Sequence, residues 1–193
     1  MKFPKCPLLA FLAAIFVLSA IAVPAEAQRR DFVNDQEADL IREYQEIDRR
    51  IDVLMMFIDR RLAAAGIAGN QWKQPKDPEL WGEDPKGTRV DLLYDTKRIL
   101  QKAVDDIDDI ASREGAAIEG NEKSGKIFPK AVRNLSAAAT RFKPIFQAEL
   151  AKATNEKEKG LLFDSIQLCD QIIEAAATLP KEPTKAEKKK AKN

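Results

Sequence analysis

The densest set of reactive side chains in this sequence is Asp105-Asp106-Ile107-Asp108-Asp109, four carboxylates in five positions. Such a run suggests a calcium or magnesium site. A helix would spread it, however: Asp105 and Asp109 share a face one turn apart while Asp106 points well away, and calcium normally draws its oxygen ligands from a tight loop. Lys102 stands three and four residues before Asp105 and Asp106, and Arg113 four after Asp109, so the run reads as a solvated face with ordinary ion pairs. A second set, Asp48, Asp52 and Asp59, forms a stripe beside an apolar face, with Arg42, Arg49 and Arg60 on the back. It could be a buried charge network or a carboxylate pair for acid-base chemistry. The sequence offers no second pair that can be placed opposite it.

Two shortages narrow the chemistry further. The chain has no His, which removes Ser-His-Asp and Cys-His mechanisms, His-ligated zinc and haem, and the Glu-x-x-His pattern of di-iron bundles. The absence of Cys-x-x-Cys-His excludes a c-type haem bundle. Cys6 lies in the leader, and Cys169, flanked by Leu168, Ile172 and Ile173, reads as a small buried apolar group and less readily as a reactive thiol or an intermolecular bridge. No metal and no cofactor are expected.

What is left is surface for binding. The stretch Ile67 to Gly87 holds Trp72, Trp81, Pro75, Pro78 and Pro85, and long Trp-bearing loops are often binding elements. The two indoles could stack on a sugar ring, such as cell-wall glycan, or anchor a protein partner. The more economical reading folds both rings back over the open end of the bundle, with Leu80 and the prolines sealing the core. Val53, Met56 and Phe57 fall opposite the core stripe of their helix, so Val53 to Ile58 is apolar all round, and a helix of that kind expects contact on more than one side. Either the Trp loop or another chain should cover it. Val53, Met56, Phe57, Trp72 and Trp81 are therefore the candidate partner-binding residues. Asn134-Leu135-Ser136 matches a glycosylation sequon but falls inside an expected helix.

The elements that must position these residues are helices. Ile41, Tyr44, Ile47, Ile51, Leu54, Met55, Ile58 and Leu62 recur at steps of three and four, which predicts one long helix from a cap at Asn34, with Glu37 three residues on, to a stop at Gly66 and Gly69. Ile47-Asp48-Arg49-Arg50-Ile51 repeats 11 residues later as Ile58-Asp59-Arg60-Arg61-Leu62, about three turns on, so both copies face the same way. A second helix starts at Thr88 and Asp91 and carries Leu93, Leu100, Val104, Ile107 and Ala111 on its core face. A third follows Pro129, with a kink or break expected near Thr140 because of Pro144. A fourth runs from Thr154 or Asn155 to Leu179, closed by Pro180. The expectation is an all-α antiparallel up-down four-helix bundle with one long Trp- and Pro-containing loop between helices 1 and 2.

Residues 1–27 have the form of a signal peptide: Lys2 and Lys5, an apolar run from Leu8 to Val23, and Ala25-Glu26-Ala27 as a cleavage pattern. Residues 28–180 would form the bundle domain. Residues 181–193, with six Lys and no large apolar side chain, would be a disordered tail whose Lys185, Lys188, Lys189, Lys190 and Lys192 could touch anionic lipid, lipopolysaccharide or nucleic acid only weakly. The body from 28 to 180 carries 24 basic and 28 acidic residues, which argues against dedicated nucleic-acid binding. The function this supports is a non-enzymatic bundle, exported to the periplasm or beyond, that binds a protein or envelope component, with a homo-oligomer as one arrangement and no transmembrane segment after cleavage. The alternatives are a small-ligand or metal-binding bundle and a carboxylate-based hydrolase of envelope glycan. N-terminal sequencing of the native protein is expected to read from Gln28; Met1 intact on membrane-bound protein would overturn the export reading.

Overall fold

The computed structural model describes residues 31–120 and 124–179. The expected signal peptide over 1–27 and the Lys-rich tail over 181–193 lie outside the described residues. Within them the chain is all-helical, with no strand and with five helices where the periodicity predicts four: α1 Asp35–Glu43, α2 Ile47–Ala64, α3 Arg89–Gly120, α4 Ser124–Leu150 and α5 Glu156–Ala177. The expected single first helix is broken at residues 44–46. Tyr44 ends α1 with ψ 85°, and Glu46 is extended with ψ 124°. Arg50 Nε donates to the freed Tyr44 carbonyl at 3.0 Å. The spacing hides this break because Leu40 before it and Ile47 and Ile51 after it all face the core.

Local chemistry sets the other ends. Asn34 and Glu37 form a reciprocal capping box at the start of α1. At the end of α2 the Ile67 amide donates to Leu62 O at 2.9 Å and the Gly66 amide to Ala63 O at 3.0 Å, a Schellman pair that needs the left-handed φ of 68° at Gly66. Thr88 and Asp91 exchange bonds ahead of α3, and the Asn155 side chain caps α5. The third expected helix differs from its sequence reading. It begins at Ser124, so Pro129 sits inside it, and it passes Pro144 without a break. The expected break near Thr140 is absent because Pro144 and Thr140 both lie on the exposed face, where water can satisfy the carbonyl that Pro144 strands, while Phe142 and Phe146 stay enclosed.

Helix α2 packs on α3 and α4, and α5 packs on the same pair from the other side, with α2 and α5 apart. Three polar pairs fix the direction of α2 against α4: Lys130 to Asp48 at 2.6 Å, Asn134 to Asp52 at 2.8 Å and Arg141 Nη2 to Asp59 Oδ2 at 2.7 Å. Each spans 82 residues, and a constant offset means that the two helices run parallel. Lys97 to Asp164 and Arg89 to Glu158 show the same for α3 and α5. Arg89 at the start of α3 reaches the Ala65 carbonyl and the Glu149 carboxylate, at the ends of α2 and α4, so α3 runs against both. The four long helices thus alternate in direction along the chain, but two of the side-by-side pairs are parallel.

Asp48 lies below the usual carboxylate range. Burial pushes its pKa up, but hydrogen bonds from Lys130 and the Arg49 amide, with the charges of both side chains, outweigh that effect. A carboxyl lowered in the folded state contributes stability that is present above its unfolded pKa, here 3.8, and is lost as pH falls through the folded value. Asp48→Asn is therefore expected to lower stability at neutral pH and to flatten the decline in acid, measured by urea denaturation from pH 7 down past 3.8. Parallel stability curves for the two proteins would contradict this.

Candidate functional site: the tryptophan cleft

The apolar-all-round stretch of α2 is covered from within the chain. Phe57 is fully buried and Val53 nearly so; of the three, only Met56 keeps a large exposed fraction, 40%. Trp81 meets Phe57 edge to face, with ring centroids 5.5 Å apart and planes at 89°, and Trp72 meets Trp81 at 5.2 Å and 63°. The loop is thus part of the cover. Val53 and Phe57 belong to the core and are not open to a partner.

Irregular backbone this close to a core needs hydrogen-bond donors, and Arg60 supplies them. The sequence places Arg60 on the exposed back of its helix, yet its side chain is only 2% exposed. Its Nη1 donates to Trp81 O at 2.8 Å and its Nη2 to Gly82 O and Glu83 O, both at 2.9 Å. Asp84 Oδ1 is a further acceptor at 3.3 Å. The helical wheel fails here because the loop and α1 fold over that side and bring acceptors with them.

Glu37, fully buried, holds the charge. It accepts from Arg60 Nη1 at 2.9 Å, from Arg61 Nη1 at 2.6 Å and Nη2 at 2.5 Å, and from its own cap amide at Asn34 at 3.1 Å. Asn34 Nδ2 donates to Trp81 O at 3.0 Å, which ties the start of α1 to the same loop. Gly82, with φ 64°, lies so close that an added Cβ would stand 2.5 Å from Gln36 Oε1. Asp59 completes the frame by accepting from the Gln71 amide at 2.9 Å and from both Nη atoms of Arg141.

The result is a cleft of about 280 Å³ lined by Arg60, Trp72, Gln74, Pro75, Pro78, Trp81, Gly82, Glu83 and Asp84. The Arg60 guanidinium lies 5.5 Å from the centre of the Trp72 ring, a cation-π contact from beneath. Both indoles are half-buried. Leu80, expected to help seal the core, is 54% exposed because the turn Pro78–Trp81 directs Trp81, not Leu80, at Phe57.

The other candidate residues have partners of their own. Lys102 pairs with Asp106 at 3.0 Å, Arg113 with Asp109 at 2.7 Å, and Gln101 donates to Asp105. Asp52 is raised by burial, against the hydrogen bond from Asn134. Burial also pushes the Cys169 thiol up to about 12, with Asp170 adding to the effect, so it is a poor nucleophile at neutral pH. Among the described residues no three His, Cys, Asp or Glu side chains gather to hold a metal.

Fold and cleft together define an all-helical protein with a fixed aromatic groove on one face. Comparison with known families, curated proteins and solved structures finds no match to this chain. Sequence reasoning missed Glu37, Arg60 and Arg61. The signal available was an Arg pair next to Phe57 in a helix that is apolar all round, where any charge on that side must meet a cover. Removing the only anion of a buried triad leaves charge uncompensated, so Glu37→Gln is expected to cost about 3–5 kcal/mol in urea denaturation. A loss under about 1 kcal/mol would match an exposed pair instead.

Proposed function

We propose that the protein is exported and acts without catalysis, holding a chain of envelope glycan in the Trp72–Trp81 cleft. The export part rests on the signal-like pattern of residues 1–27. The observation that carries the rest is the pair of half-buried indoles, fixed in a groove whose backbone is anchored by the buried Arg60. A sugar presents an apolar C–H face to an indole and hydroxyls to neighbouring polar groups, and Gln74, Glu83 and Asp84 line the same groove. A groove of about 280 Å³ is at the small end for a ligand pocket and suits one ring of a longer chain. Preorganisation favours such binding because little is left to order when the ligand arrives.

Glu83 in this cleft is poorly suited to act as a glycosidase acid. A glycosidase acid needs a raised pKa, whereas the hydrogen bond and charge of Lys86 lower Glu83. Among the described residues no helix is long and apolar enough to cross a membrane. The protein is expected to co-sediment with insoluble cell-wall glycan, and soluble fragments of that glycan should change its tryptophan fluorescence. Trp72→Ala should weaken binding about tenfold, the effect of losing roughly 1.4 kcal/mol of stacking, with helical content by circular dichroism unchanged. Co-sedimentation that is absent, or indifferent to Trp72→Ala in a folded protein, would sink the proposal.

A further inference from the structure

A second surface lies away from the Trp cleft, where α5 passes beside α3. Gly160 stands in the interior of α5, where glycine is a poor choice relative to alanine. Nothing inside the chain calls for it: its φ is not positive, and a Cβ built on it meets no atom within 4 Å. It borders an open groove of about 440 Å³ shared with Tyr94 and Leu161. Tyr94 and Phe163 are large side chains left 38% and 53% exposed. A glycine that the fold does not use, in an exposed apolar setting, is what close approach of another helix requires.

We propose that the other helix is α5 of a second copy, packed antiparallel and crossing at Gly160. Charge points to a copy of this chain over an unrelated partner. In an antiparallel pair related by a twofold axis next to positions 160 and 161, position 157 of one helix lies opposite position 164 of the other. Those positions are Lys157 and Asp164, so the contact is self-complementary and is made twice. Lys157 makes no ion pair among the described residues, and Asp164 engages Lys97 through Oδ2, which leaves Oδ1 to accept from the incoming ammonium. Helical spacing places Lys157, Gly160, Leu161 and Asp164 on one face of α5, where all four line the same groove, so the ion pair lies beside the crossing point.

Sedimentation equilibrium of the chain from Gln28 to Asn193 is expected to show a concentration-dependent monomer and dimer. Gly160→Ala should weaken the dimer about tenfold while raising the melting temperature of the dilute monomer, because the methyl group helps the helix and obstructs the crossing. Lys157→Asp should weaken it too, and adding Asp164→Lys together with Lys97→Asp should restore it, since the pair between copies and the Lys97–Asp164 pair within each chain are then both reversed and again complementary. The idea is overturned if the chain stays monomeric to millimolar concentration. It is equally overturned if a dimer is indifferent to Gly160→Ala, or if the charge reversal gives no rescue.

Discussion

A single buried carboxylate, that of Glu37, governs how the rest of this molecule is arranged. Two guanidiniums and a backbone amide donate to it, and none of the three side chains reaches water to any extent. Moving these charges out of water costs several kcal/mol for each ion, so the cluster persists only if nearly every donor finds an acceptor. Arginine suits this task and lysine does not, because its planar fork serves the carboxylate on one side and the loop carbonyls on the other. The cluster also explains the broken first helix. Glu37 and Arg60 are 23 residues apart, which in one continuous helix would be about 35 Å. They touch at 2.9 Å only because the chain turns back at residues 44–46.

The consequences reach the tryptophans. Once α1 lies against the end of α2, Asn34 and Arg60 together present donors to the carbonyls of Trp81, Gly82 and Glu83, and the loop takes the one path that satisfies them. That path brings Trp81 onto Phe57 and Trp72 onto Trp81. The cleft is thus a by-product of satisfying buried charge, and its walls should be as rigid as the triad beneath them. For the glycan binding proposed above, fixed aromatic planes would limit the entropy lost when the ligand arrives.

On the opposite flank α2 solves a different problem with the same residue types. Asp48, Asp52 and Asp59 meet Lys130, Asn134 and Arg141 at a constant offset, so their spacing along α2 is reproduced along α4. Three turns of helix span about 11 residues, which lets Asp48 and Asp59 address one neighbour without twisting the bundle. The two copies of the Ile-Asp-Arg-Arg repeat part ways at the arginines. Arg49 and Arg50 stay at or near the surface, whereas Arg60 and Arg61 lie under α1 and the loop.

The sequence by itself determined that the described chain is helical, that helices cap at Asn34, Thr88 and Asn155, and that one stops at Gly66, because capping, propensity and apolar periodicity act over a few residues. Leu93, Leu100 and Cys169 were legible as core for that reason. It also marked Phe57 as a residue needing a cover and the Trp loop as one source of it. Only the tertiary structure decided that the first helix is broken, that Arg60 is buried, and that α2 lies parallel to α4. Each of these depends on partners tens of residues away: Glu37 for Arg60, Trp81 for Phe57, Lys130 for Asp48. A helical wheel assigns a side chain to a face. Whether that face meets water or a carboxylate is fixed by where the rest of the chain goes.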